Sequence, residues 1–262
     1  MKMSRTCLLL SLFLGSALPT FWQSIAAPKQ ELIIAAASSL QNIGDELKAN
    51  FEKQYPDVQL VFQWGASGML RQQIEQGAPI DLFIAAAMPL ALDLKAKGLI
   101  DAESLQILVE NRLVLVVPKQ KTKPKSLEDL KSSEFKRIAL GESQTVPAGR
   151  YAEQWLRSNH VFEAVQSKLI PAANVKQVLH YIESRNADAG FVYATDAKAS
   201  KQLEVALEAP SSAHERILYP LAIVAGSKHK ALAKNFVESL HQPKVREIFV
   251  ENGFTLPGVT GK

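Results

Sequence analysis

Two periods alternate along this chain. Short apolar runs, sometimes strictly every second residue, are followed by stretches in which apolar residues recur three and four apart, the pattern of strands feeding helices. Leu32-Ile33-Ile34-Ala35 reads as a first strand, and Leu40, Ile43, Leu47 and Phe51 share one face of a helix ending near Tyr55-Pro56. Val58, Leu60, Phe62 and Trp64 alternate as a second strand. Met69, Leu70, Gln73 and Ile74 then mark a helix stopped by Gly77-Ala78-Pro79, before a third strand at Leu82-Phe83-Ile84. A short helix is expected from Pro89 to Lys97, closed by Gly98. Strands follow at 113–117, 138–140, 190–193 and 218–224, with a capped helix start at Ser126 to Asp129. Further helices are expected at about 150–159, 162–169, 175–184, 231–240 and 243–250, and the polar stretch 141–149 reads as a loop.

This alternation predicts an α/β protein. Two long strands, 113–117 and 218–224, flank the middle third, and side by side they would carry the chain twice between lobes. The expected division is a first lobe of residues 27–112 and 222–262 and a second of 113–221, with the crossing strands as hinge. Ligands of such sheets sit outside the carboxyl ends of the strands, here in the cleft between lobes.

Four strand-to-helix or loop-to-helix junctions share one design, a small or hydroxyl residue at the helix start. They are Ala37-Ser38-Ser39, Ala66-Ser67-Gly68, Val146-Pro147-Ala148-Gly149-Arg150 and Ala173-Asn174-Val175, and Tyr193 adds a phenol at a strand end. The first amides of a helix have no acceptor within it and lie at the positive end of its dipole, so such starts attract anions. Singly, each has a plain structural reading: Ser39 and Ser67 as N-caps, Ala148 and Val175 as first-turn residues, Tyr193 as packing. Two such places in each expected lobe suggest one shared anion.

Composition narrows the classes. Of the 262 residues, 47% are hydrophobic, enough for a substantial core. The N-terminus carries Lys2 and Arg5, an apolar run from Leu8 to Leu14 too short to span a bilayer, and Ser24-Ile25-Ala26 ahead of Pro28. That is the form of a secretory signal, residues 1–26, cut after Ala26. Cys7 is the one cysteine, so the mature chain has no disulfide or cysteine metal site. The formal charge of +4 becomes +2 without Lys2 and Arg5, giving no case for nucleic acid. Lys119, Lys121, Lys123 and Lys125 read as a solvated loop.

From residue 31 to 254 the chain resembles the periplasmic molybdate-binding proteins of ABC importers. The resemblance rests on AAASSLQN at 35–42, GASGMLRQQIEQGAPIDLFIAA at 65–86, VPAGRYA at 146–152, NVKQVL at 174–179 and ADAGFVYATDA at 187–197. It implies a two-lobe periplasmic binding protein without catalytic activity or cofactor. The ligand would be molybdate or tungstate, and the partners an inner-membrane ABC permease and its ATPase. By the same resemblance, Ser39 and Ser67 donate hydroxyl and amide, Ala148 and Val175 amides, and Tyr193 its hydroxyl, so molybdenum is bound as the oxyanion without direct metal ligands. Ser38 stands where many relatives have alanine, which leaves Ser38 and Ser39 as alternatives for the serine facing the ligand, and Gly141-Glu142-Ser143 stands where Gly-Asp-Pro is commoner. Gly68 replaces a serine of some relatives, an exchange read as neutral.

Charge-assisted hydrogen bonds of roughly 1.5–3 kcal/mol each can hold a dianion without countercharge. A shell of donors alone rejects hydrogen phosphate, whose proton finds no acceptor, provided neither Asp81 nor Asp196 faces the ligand. Sulfate has to be discriminated by size. The rival readings are a receptor for sulfate or another solute, and a serine hydrolase. Gly-Ala-Ser-Gly lacks the second x of the nucleophile elbow, and His160, His180, His214, His229 and His241 lack catalytic context. Arg71, Arg150 and Arg185 are expected in surface ion pairs.

Overall fold

A computed structural model of the protein describes residues 29–258. The signal segment, its cleavage point and Cys7 lie outside the described residues. Ten strands form two five-stranded sheets. The first holds β1 (Gln30–Ala37), β2 (Val58–Gly65), β3 (Leu82–Ile84), β4 (Gln106–Asn111) and β10 (Ile217–Ile223), in the order β2-β1-β3-β10-β4. The second holds β5 (Leu113–Pro118), β6 (Ile138–Gly141), β7 (Leu169–Ala172), β8 (Ala189–Tyr193) and β9 (Leu203–Glu208), in the order β7-β6-β8-β5-β9. In each sheet the first three strands are parallel and the fourth runs antiparallel to both of its neighbours. The sequence shows no internal repeat, yet the two sheets share one strand order.

Burial on both faces makes the parallel strands apolar throughout. Leu32, Ile34 and Ala36 of β1 face a core shared with Ile43, Leu47 and Phe51 of α1 (Gln41–Gln54). Ala35 points the other way, toward Leu70 and Ile74 of α2 (Ser67–Glu75) and Leu94 of α3 (Met88–Ala96). Gly98, at φ +67°, ends α3 in the left-handed conformation that glycine adopts without steric cost. Helices α4 (Pro147–Ser158), α5 (Phe162–Val165), α6 (Val175–Glu183) and α7 (Ala194–Ala199) belong to the second sheet. The last two, α8 (Lys230–Leu240) and α9 (Pro243–Glu251), return to the first, where Phe236 meets Phe51 edge-on at 5.2 Å. Among the described residues no helix is long and apolar enough to cross a membrane.

The two-lobe plan with two crossings is as expected, but the strands expected side by side are not partners. Residues 113–117 lie in the second sheet and 218–223 in the first. Each crossing instead joins a strand that the sequence did not reveal to one that it did. The chain runs from β4 into β5 with only Arg112 between them, and from β9 into β10 through 209–216. Because β4 pairs with β10 and β5 with β9, an antiparallel ladder lies on each side of the crossing. β10 pairs wholly in the first sheet, so a boundary at residue 221 falls inside a strand. Its register shifts between Tyr219 and Pro220, where proline has no N–H to give the ladder.

Two further differences have local causes. Residues 141–149, read as a loop, end in a helix that starts at Pro147, since proline at the first helical position loses only an amide that would be unbonded anyway. Residues 162–169 are helical only to Lys168, and Leu169 starts β7. The lysine-rich loop is partly paired: Lys121 meets Asp188 at 3.2 Å and Lys123 meets Glu204 at 2.9 Å.

Gly149 tests the packing of α4 on β6. A Cβ there would overlap the Gly141 carbonyl, which is backbone and cannot rotate away. Gly149→Ala should destabilise the fold by about 1–3 kcal/mol, read from the urea midpoint. An unchanged midpoint would mean that α4 is not seated this closely.

Candidate functional site

The carboxyl ends of the parallel strands of both sheets meet at one small cavity. Its wall comprises Ala37, Ser38 and Ser39 after β1, Gly65, Ala66 and Ser67 after β2, and Ala86 after β3. From the second sheet come Val146 and Pro147 at the start of α4, Val175 at the start of α6, and Tyr193 at the end of β8. The cavity therefore brings Ser39, Ser67, Val175 and Tyr193 together. Ala148 lies one residue beyond the wall at Pro147, in the first turn of α4, 1% exposed. Both Ser38 and Ser39, the two serines open to face the ligand, line the cavity, whereas Ala86 and Pro147 line it without having been singled out as site residues.

Each helix start brings amides that its own helix does not use. Ser39 lies in a 3-10 turn (Ser38–Leu40) leading into α1, Ser67 and Val175 are the first residues of α2 and α6, and Ala148 is the second of α4. The Asn174 side chain caps α6 by accepting from the Gln177 N–H at 3.0 Å. This leaves the Val175 amide at the cavity wall.

The hydroxyls have defined directions. The Ala86 N–H donates to Ser67 Oγ at 3.0 Å, which leaves the Ser67 proton to donate elsewhere. Ser39 Oγ lies 2.7 Å from the Tyr219 hydroxyl. The Tyr193 hydroxyl is buried with no hydrogen-bond partner. A buried phenol without an acceptor is costly, so a ligand is the natural partner for it.

No cation lines this wall. Arg71 pairs with Asp93 at 3.2 Å and with Glu75 at 3.3 Å, and Arg150 stands 3.7 Å from Glu215. Lys176 bonds Asp196 at 2.8 Å and reaches across the cleft to Asn42 at 2.9 Å. Asp196 is fully buried; burial pushes its carboxyl up and Lys176 opposes that. It is not part of the cavity wall. Neither is Asp81, which accepts from the Ile33 N–H at 2.8 Å and from Ser227 Oγ at 2.7 Å. The residues lining the cavity are thus uncharged.

The lobes touch directly around this site. The Gly68 N–H donates to the Thr145 carbonyl at 2.9 Å and the Tyr151 hydroxyl to the Ala86 carbonyl at 3.3 Å. A Cβ on Gly68 would stand 2.7 Å from the Thr145 oxygen and 2.8 Å from its Cα. Gly68 is therefore no neutral substitute for serine, because the opposing surface is backbone.

Three comparisons place the chain among known proteins. A family model described as bacterial extracellular solute-binding protein matches residues 32–255. A protein of Bacillus subtilis (strain 168) that carries the name of an ABC transporter substrate-binding lipoprotein is 40% identical over 228 residues, covering 87% of each chain. The molybdate-binding protein of Escherichia coli (strain K12) is 36% identical over 256 residues, 94% of this chain and 98% of that one. Among solved structures, the periplasmic molybdate-binding protein of Azotobacter vinelandii superposes with a TM-score of 0.79 at 24% identity, covering 86% of this chain and 99% of that one, and shares the fold.

Gly68→Ala should hold the lobes apart. Its expected signature is ligand affinity lower by about tenfold or more, as for about 1–3 kcal/mol of overpacking in the closed arrangement, with a larger radius of gyration in the presence of ligand than the unsubstituted protein. Equal radii would show that the contact yields.

The tyrosines set an alkaline limit. Burial raises the phenol of Tyr151 to about 12, and raises those of Tyr193 and Tyr219 well above the ordinary value. The folded protein keeps protons that the unfolded chain starts to release near pH 10, so the stability they confer is complete below that pH and is lost above it. Urea unfolding from pH 9 to 12 should show falling stability, and Tyr193→Phe should flatten the slope by about 1.4 kcal/mol per pH unit. An unaltered slope would contradict burial of this phenol.

Proposed function

The chain belongs to the family of bacterial extracellular solute-binding proteins, and we propose that it captures molybdate between its lobes and delivers it to the permease and ATPase of an ABC importer. The carrying observation is the buried Tyr193 hydroxyl without a partner, in a wall of helix starts drawn from both sheets. The proposed donors are the hydroxyls and amides of Ser39 and Ser67, the amides of Ala148 and Val175, and the Tyr193 hydroxyl. The relatives of Escherichia coli (strain K12) and Haemophilus influenzae are molybdate-binding proteins by name. Tungstate, a tetrahedron of nearly the same size, suits the same donors.

The first lobe is read as residues 29–111 with 217–258, and the second as 113–208, with Arg112 and 209–216 as the crossings. Ligand stabilises the closed arrangement to the extent that it binds that arrangement better than the open one. Export by the N-terminal signal and release after Ala26 put the mature chain in the periplasm. Nothing turns over chemically. Sulfate is discriminated because a donor shell spaced for the larger tetrahedron holds a smaller one loosely. Hydrogen phosphate is discriminated because neither Asp81 nor Asp196 lines the cavity, so its proton meets no carboxylate there.

Titration calorimetry with molybdate, tungstate, sulfate and phosphate tests this reading. Molybdate and tungstate should bind much more tightly than the other two; equal affinity for sulfate or phosphate would reject it. Ser67→Ala should weaken molybdate binding by about 1–3 kcal/mol, and an unchanged affinity would remove Ser67 from the site.

A further inference from the structure

Two buried side chains near the crossings lead to one of the proposed donors. Asn111, the last residue of β4, is 8% exposed, and its Oδ1 accepts from the Arg112 backbone N–H at 2.9 Å. A backbone N–H can only donate, so this bond fixes which end of the amide is oxygen. The amide nitrogen must then donate, and it does so twice, to Thr195 Oγ1 at 3.0 Å and to the Tyr219 hydroxyl at 3.2 Å. Tyr219, fully buried on β10, has one other partner, Ser39 Oγ at 2.7 Å. Since its oxygen already accepts from Asn111, its proton is satisfied only by pointing at Ser39 Oγ. The Ser39 proton is thereby released toward the cavity.

We infer that Asn111 and Tyr219 are positioning residues that set the direction of the Ser39 hydroxyl, so that it meets the anion as a donor and not as an acceptor. Resting on the reading of the cavity as a molybdate site, the inference assigns part of the selectivity to side chains outside its wall. A chain of hydrogen bonds in which every member has one donor role left transmits a direction, and a carboxamide held by a backbone amide cannot reverse it. A ligand carrying its own proton, such as hydrogen phosphate, then meets a proton at Ser39 where it needs a lone pair.

Asn111→Asp reverses the chain with almost no change of shape. A carboxylate oxygen replaces the donating nitrogen, the Tyr219 proton turns toward it, the Ser39 proton turns toward Tyr219, and Ser39 Oγ presents lone pairs to the cavity. The experiment is a double-mutant cycle by titration calorimetry, with molybdate and with inorganic phosphate, on unsubstituted protein, Asn111→Asp, Ser39→Ala and the pair. Asn111→Asp should weaken molybdate binding by about tenfold or more where Ser39 is present, and by less than about threefold on Ser39→Ala. The ratio of phosphate to molybdate affinity should rise with the first substitution only.

The added negative charge repels an anion equally in both backgrounds, so only the Ser39-dependent part reports the chain. Equal losses in the two backgrounds, or an unchanged affinity ratio, would overturn the inference. Should Asn111→Asp fail to unfold cooperatively, Tyr219→Phe, which adds no charge, takes its place in the cycle. Its loss should be severalfold with Ser39 and absent without it, and equal losses would again overturn the inference. Unsubstituted protein that binds no molybdate would instead remove the functional reading itself.

Discussion

An anion taken out of water needs its lost hydration replaced, and the means of replacement dictates the form of this molecule. The groups lining the cavity are uncharged, so the available attraction comes from dipoles: helix amides that their own helices cannot use, and hydroxyl groups. A single helix start offers few of these. Converging several requires parallel strands that all end at one place, with helices departing from those ends, and the two sheets do this from opposite sides. The Ala86 amide on Ser67 and the Tyr219 hydroxyl beside Ser39 fit the same requirement, because an oxygen that accepts from a neighbour keeps its own proton to donate.

The cleft is then more than a gap between two bodies. Gly68 against Thr145, Tyr151 against Ala86 and Lys176 against Asn42 are contacts between lobes made within a few residues of the cavity wall. The Gly68 contact is backbone on backbone, which allows little tolerance in the approach. Asp196 illustrates how a buried carboxyl is kept off the cavity: Lys176 bonds its Oδ1, and the residue is not part of the wall.

Much of the fold was readable because periodic burial writes itself into sequence. Leu40, Ile43, Leu47 and Phe51 fall on one face of α1, and Val58 and Leu60 alternate toward the core, so these elements and the junctions between them were placed from pattern alone. What escaped was governed by partners remote in the chain. β9 lies at a sheet edge with only Leu203 fully buried and Val205 exposed, so its apolar residues do not follow its burial. β7 has four residues with Pro171 among them, and β4 is separated from β5 by Arg112 alone, so the two merge into one polar-interrupted run. The start of α4 was legible in Pro147 but masked by the small residues around it. Asn111 and Tyr219, 108 positions apart, have no local feature that marks them, since their role exists only once β4 and β10 pair.

The shared strand order of the two sheets conceals an asymmetry in time. All five strands of the second sheet lie between residues 113 and 208, so that sheet can assemble as soon as this continuous segment is available. The first sheet is divided until β10 arrives, because β4 is attached to β3 only through it. A chain emerging from its amino end therefore completes the second half before the first, and the binding cavity, which draws on both, is among the last features to form.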